Sequence, residues 1–233
     1  MTMFVDLAGF AMFIPLLNYI VAELGGSILT VGLLITAFSL AQFLCLPAWG
    51  RLSDRIGRRP VIMLGLSGAA VAYAVFGLAD PALGLSDDRN FLLGVLFLSR
   101  IMLGVMSANY AAAYAYVADV TPPEERAQGM GLLGVAFGLG FVCGPALGGL
   151  LGQWGFWLPA FFGSGLALLN LFCAWRWLPE SLSPDHIPQP RVSPAEALRE
   201  TVDYLRQPRL GLLLVIFTLY LLAFSIIFGT FVE

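Results

Sequence analysis

GRLSDRIGRRP, Gly50–Pro60, is the stretch on which the reading of this chain turns. It places four arginines and one aspartate between two apolar runs, Ile28–Trp49 and Val61–Ala79, neither of which holds a charged residue. Each run is about as long as the ~20 residues with which a helix crosses a hydrocarbon core. The stretch is therefore expected to be a short turn joining two transmembrane helices.

Composition places the whole chain in the same class. Hydrophobic residues make up 59% of the 233 and charged residues 12%, and the mean hydropathy is +0.85, more apolar surface than a soluble domain of this size buries. The fold expected is all-α, a polytopic membrane protein whose partners include the lipid bilayer. A net charge of −3 without a basic stripe excludes nucleic acid as a partner. Cys45, Cys143 and Cys173 lie in apolar segments without metal-ligand or CxxC spacing and read as packing residues. The one histidine, His186, lies in a proline-rich segment, and no nucleophile–base set or metal cluster accompanies it. Enzymatic activity is not expected.

Outward from the charged stretch, seven spans are expected: Thr2–Ala22, Ile28–Trp49, Val61–Ala79, Phe91–Ala118, Gly129–Leu151, Phe156–Leu178 and Leu210–Val232. These group into a six-helix domain, 1–178, a linker, 179–209, and one further helix, 210–233. The chain has no lysine, and ten of its twelve arginines fall in alternate turns, at 51–59, 119–126 and 176–209. By the positive-inside rule those turns, and with them the N-terminus, face the cytoplasm. A multi-pass protein of the cell membrane follows. In the linker, Ser193-Pro194-Ala195-Glu196 has the form of a capping box, and Leu198, Val202 and Leu205 follow at helical spacing. A short amphipathic helix on the inner membrane surface is expected there.

Two charges lie within spans. Asp6 and Arg100 carry a cost at the membrane centre of about 2.5–3.5 kcal/mol each on insertion scales, and such residues face a polar interior. At ~1.5 Å per residue Asp6 lies roughly 6 Å from the inner end of its helix and Arg100 about 14 Å from the outer end of its own. The pair is expected to come within side-chain reach if their helices pack together. Arg100, Gly104, Ser107 and Tyr114 fall in one arc at 100° per residue, a polar stripe that would face a cavity. A carboxylate in low dielectric, tuned by a guanidinium, can take up and release a proton as its surroundings change. Proton coupling is the role expected for the pair.

Gly140, Gly144, Gly148 and Gly152 recur every four residues on one face of the fifth span, with Pro145 among them. Two readings stay open here: a face that admits another helix backbone to backbone, or a bending element that controls a cavity.

These motifs resemble a known family. GRLSDRIGRRP looks like the cytoplasmic signature of the major facilitator superfamily. Arg100-Ile-Met-Leu-Gly104 with Ala118-Asp119 and Glu125-Arg126 is similar to its fourth-helix pattern. GLGFVCGPALGG, Gly138–Gly149, resembles the fifth-helix motif of its drug/proton antiporters. Asp6-Leu-Ala-Gly-Phe, Ala41-Gln42-Phe43 and Leu178-Pro179-Glu180-Ser181 resemble the tetracycline/proton antiporters in particular. The resemblance implies a transporter whose two six-helix halves rock about a midplane site, driven by the proton gradient and needing no bound cofactor. It implies a latch at the inner side built from Gly50, Asp54, Gly57, Arg58, Arg59, Asp119 and Arg126. In that latch Asp54 meets a helix N-terminus of the other half, and Arg58 or Arg59 pairs with Asp119. Asp6 and Arg100 match the family's coupling positions. Gln42, with Thr36 and Ser39, and Ser107 and Tyr114 become candidates for the substrate path, while Gly140, Gly144, Pro145, Gly148 and Gly149 become packing and bending positions.

Two departures qualify this. The third span has Ala72 where tetracycline carriers have an acidic residue, which argues against metal-bound tetracycline as substrate. One helix beyond the linker has no repeat to pair with, so the chain is expected to be an N-terminal fragment whose partner is the missing C-terminal half of the same transporter. The function expected is proton-coupled export of a small amphipathic compound or drug, tetracycline-like compounds included. A facilitator or importer of a small solute, or a half-size membrane partner that does not transport, stay open as alternatives.

Overall fold

The computed structural model describes residues 2–182, residue 207, and residues 211–213, 215–216, 218–219 and 222–223. The chain divides into two compact units, Met1–His186 and Ile187–Glu233. The helix expected around 193–205 lies outside the described residues. Of the seventh span, the residues described from 211 to 223 are helical.

The first unit is built from seven helices among the described residues: α1 (Thr2–Glu23), α2 (Ile28–Ile56), α3 (Arg58–Gly77), α4 (Arg89–Ser107), α5 (Tyr110–Val120), α6 (Arg126–Leu151) and α7 (Trp157–Trp177). Helices α4 and α5 run on as one span, so six segments are long and apolar enough to cross a membrane. Away from its ends and from an internal proline, a helix pairs its backbone N–H and C=O groups inside its own segment, the condition that hydrocarbon imposes on any spanning structure.

Packing makes α1 and α3 the centre. α6 lies on α1, α1 also meets α7, α7 lies on α3, α3 on α4, and α4 on α2. Over half of the most apolar window of α1 and of α3 is buried (56% each), against 17% for α2 and 11% for α6. Leu33, Leu40 and Phe43 of α2 and Val135, Leu139 and Val142 of α6 stand exposed. Such faces suit lipid or other protein, because lipid tails are as apolar as the side chains themselves.

At Gly50–Pro60 the structure corrects the expected turn. α2 does not end at Trp49 but continues through Arg51, Ser53, Asp54 and Arg55 to Ile56, and Gly57 alone separates it from α3. A helix satisfies its own backbone, so it can pass from hydrocarbon into water, where charged side chains are at home. The reversal falls on Gly57, at φ +106° and ψ 157°, a conformation open at low cost only to a residue without Cβ. Pro60 then sits in the first turn of α3, where its missing N–H is no loss.

The fourth span also differs from the unbroken helix expected over 91–118. It is interrupted at Ala108–Asn109, between α4 and α5. Gly65 of α3 offers the notch: a Cβ there would fall against the Asn109 side chain. Asn109 is 4% exposed, and the backbone around it closes through Asn109 N–H to Met106 C=O (3.3 Å) and Ala112 N–H to Asn109 C=O (2.9 Å). Asparagine is a weak helix former because its side chain competes for nearby backbone groups.

At the opposite end of the bundle, buried Asp80 joins the third and sixth spans. Its carboxylate accepts from Ala82 N–H (2.8 Å), capping the 3₁₀ turn Pro81–Leu83, and from Trp157 N–H (2.8 Å) at the start of α7. Negative charge at a helix N-terminus is favourable both for its dipole and for its orphan donors.

Candidate functional site

Two polar groupings stand out in the apolar bundle. The first gathers at the end where α2 meets α3. Arg58, 6% exposed, donates Nε–H to Asp119 Oδ2 (3.1 Å), and its Nη1 to Ser53 Oγ (2.7 Å) and to Asp54 Oδ1. One planar guanidinium thereby ties the ends of α2, α3 and α5 together, which a point-charge ammonium would do less well. Arg59 turns elsewhere, donating Nη2 to the Trp175 carbonyl of α7 (2.6 Å). Of the two arginines, Asp119 therefore pairs with Arg58. Arg126 is exposed and makes no ion pair among the described residues.

A residue absent from the sequence candidates completes this clasp. Glu180, just past α7, accepts from Arg58 N–H (2.8 Å) and Arg59 N–H (3.2 Å), and from Ser181 N–H (3.0 Å) and Leu182 N–H (3.1 Å). Its carboxylate lies over the first turn of α3, so closely that a Cβ on Gly57 would collide with it. Burial pushes the Glu180 carboxyl up, but the N–H groups of Leu182, Arg58, Arg59 and Ser181 outweigh this and hold its pKa below the ordinary value. Ser181 Oγ lies 3.3 Å from Asp119 Oδ2, so both acids share one assembly. In the sequence Glu180 stood within the quoted Leu178–Ser181 motif, directly after a helix and 122 residues beyond Arg58, with no role assigned to it. Only packing brings the two together.

The second grouping lies inside the bundle. Arg100 is 2% exposed, and its guanidinium carbon stands 4.5 Å from the ring centre of Phe76 and 5.2 Å from that of Phe13. Its Nε is buried with no hydrogen-bond partner among the described residues, as is Oδ1 of Asp6. Among the described residues no ion pair joins Asp6 and Arg100, so the expected contact is not made. Arg100 sits at the level of Phe13, seven residues and about 10 Å along α1 from Asp6. The aromatic faces of two helices hold the cation in place of the carboxylate.

Tyr73 occupies the interval. Its ring stacks on Phe13 with centroids 5.0 Å apart, and a Cβ on Gly9 would lie 2.8 Å from its hydroxyl. It therefore runs along α1 from the Arg100 level back toward Asp6, within electrostatic reach of both. Tyr110 also lies within electrostatic reach of Asp6 and of Tyr73. The sequence reading missed both tyrosines, whose only local signal was a polar tip in an apolar run.

The expected polar stripe on the fourth span does not form one cavity-facing surface. Gly104 is buried where a Cβ would strike the Phe38 carbonyl of α2, and Ser107 Oγ donates to Leu103 C=O of its own helix (2.6 Å). Tyr114, beyond the break at Asn109, is 43% exposed. On α2, Thr36 and Ser39 are exposed and Gln42 is half-buried, with Thr36 Oγ1 bonded back to Gly32 C=O (2.8 Å). Gly50 is half-buried, and a Cβ there would come 3.9 Å from Ala111.

The glycine face of α6 meets α1. A Cβ on Gly140 would lie 2.8 Å from Leu7 Cβ, one on Gly144 2.7 Å from both Ala11 Cβ and the Ala8 carbonyl, and one on Gly148 would strike the Met12 carbonyl. Gly149 lies off this face, with nothing within 4 Å of a Cβ, and α6 runs through Pro145 without interruption.

Comparison with known proteins matches this arrangement to one family. A family model described as "Major Facilitator Superfamily" matches residues 1–232. The chain is 35% identical to the tetracycline resistance protein, class C, of Escherichia coli, over 81% of its own length and 46% of that protein's. It is 36% identical to multidrug resistance protein 2 of Bacillus subtilis (strain 168), over 77% of its own length and 42% of the relative's. The crystal structure of the human organic anion transporter MFSD10 (TETRAN) superposes with a TM-score of 0.68 at 30% identity, over 88% of this chain and 52% of that one. The chain thus spans about half the length of the relatives it matches.

Proposed function

The chain belongs to the major facilitator superfamily, and from that premise we propose that it contributes the N-terminal half of a proton-coupled exporter of a small amphipathic compound. The observation that carries the coupling is the row Asp6, Tyr73, Arg100: a half-buried carboxylate and a buried guanidinium in one apolar bundle, not paired with each other, with a buried phenol between them. An unpaired carboxylate in such a place is stable neutral in one surrounding and charged in another, so a conformational change that opens it to water moves a proton. Arg100 supplies the fixed positive charge that biases that exchange, and Tyr73 is the polar group through which the two communicate.

The substrate is expected among amphipathic drugs rather than metal-bound tetracycline. Ala72 is 1% exposed, so packing fills the position where the tetracycline carriers have an acid. The clasp of Arg58, Asp119 and Glu180 joins the helix ends of this half, which suits a half that rocks as a unit against another. Everted vesicles from cells carrying the native gene test the reading. Asp6→Asn should abolish uphill drug uptake driven by a proton gradient while the protein stays in the membrane, and Tyr73→Phe should reduce it about a hundredfold, the lower end of the range for a positioned proton-transfer group. Full uptake by Asp6→Asn would remove the carboxylate from the mechanism.

A further inference from the structure

A groove of about 570 Å³ runs between α3 and α7 on the outside of the bundle, lined by Arg59, Met63, Leu64, Ser67, Leu171 and Trp175. One end is cationic and interfacial; the rest is apolar. From Arg59 to Ser67 is eight residues of helix, so the groove reaches roughly 12 Å from the membrane edge toward its middle. Trp175 is 57% exposed and Trp177 66%, an aromatic pair at the level where such side chains mark the headgroup region.

The two neighbouring arginines differ in how their charge is met. Arg58 is enclosed by Asp54 and Asp119. Among the described residues the Arg59 guanidinium has no carboxylate partner; it spends Nη2 on the Trp175 carbonyl, and its buried Nε has no partner there. Glu180 is engaged with the backbone N–H groups of Arg58 and Arg59. Arg176, one residue from Trp175, adds a second cation at the same end. What fits here is an amphiphile with an anionic head at Arg59 and an apolar tail along Met63, Leu64 and Leu171.

We propose that this groove is a binding site for an anionic phospholipid of the leaflet that the Arg59 end faces, its phosphate on Arg59 and one acyl chain between α3 and α7. Basic pockets between transmembrane helices are suited to anionic headgroups, and a guanidinium gives a phosphate charge-assisted hydrogen bonds. The site is distinct from the Asp6–Tyr73–Arg100 row and does not depend on the transport reading.

The test is native mass spectrometry of the delipidated full chain, titrated with phosphatidylglycerol or with phosphatidylcholine of identical acyl chains. Phosphatidylglycerol should bind about fivefold more tightly, the gain of one cation at a membrane surface. Arg59→Gln should bring the two lipids level, and Arg59→Lys should keep most of the preference. Leu64→Trp, which fills the groove at an exposed position without touching a charge, should weaken phosphatidylglycerol binding severalfold. Equal binding of both lipids to the unmodified chain, or full phosphatidylglycerol binding by Leu64→Trp, would overturn the proposal. So would glycerol phosphate displacing the lipid at equal concentration, since the tail would then contribute nothing. Cross-linking of a cysteine at position 64 to the 187–209 segment in place of lipid would likewise overturn it.

Discussion

Gly144→Ala adds one methyl group where α6 crosses α1. Its Cβ would lie 2.7 Å from Ala11 Cβ, 2.7 Å from the Ala8 carbonyl and 2.9 Å from the Met12 nitrogen. Ordinary contacts begin near 3.4 Å, and two of these three neighbours are backbone. No rotamer change relieves them, so α1 and α6 must move apart along their shared face. Overpacking of this kind costs about 1–3 kcal/mol. Alanine also favours the helix over glycine by up to about 1 kcal/mol, which would hide part of the loss. Gly149→Ala removes that ambiguity, because it has the same intrinsic gain on the same helix and meets nothing within 4 Å. The difference between the two variants isolates the steric cost, about 1–3 kcal/mol or roughly five- to 150-fold in the unfolding constant. Reversible unfolding in mixed detergent micelles, followed by tryptophan fluorescence, measures it. Equal stability of the two variants within about 0.5 kcal/mol would refute the close α1–α6 approach.

Two more outcomes concern the clasp. Arg58→Gln leaves Asp54 and Asp119 without their cation; these acids keep 34% and 32% side-chain exposure, so the loss should fall below the ~3–5 kcal/mol of a fully buried pair, near 2 kcal/mol in the same unfolding assay. Wild-type stability would show that the three-way contact contributes nothing. Glu180 predicts an acid dependence: its folded pKa lies below the ordinary value, so its contribution is complete above the unfolded pKa of about 4.5 and is lost as pH falls through the lower folded value. Glu180→Gln should flatten the decline in stability below about pH 4.5, and an unchanged acid limb would exclude the carboxylate as the cap of α3.

The sequence by itself determined what depends on a segment's own chemistry. Length and apolarity place the six spans, because a helix satisfies its backbone without help and lipid accepts its side chains. Spacing alone put Gly140, Gly144 and Gly148 on one face, and the charged residues flanking the second and third spans marked the region of the clasp. The tertiary structure decided what depends on partners distant in sequence. It laid the glycine face on α1, and brought Glu180 onto the first turn of α3 across 122 residues. It set Arg100 over Phe13 and Phe76 instead of against Asp6, and broke the fourth span where Asn109 meets Gly65. Helical periodicity gives the face a side chain occupies but neither the helix opposite nor its offset along the axis, and about 10 Å of that offset separates an ion pair from an unpaired carboxyl and guanidinium with a tyrosine between them.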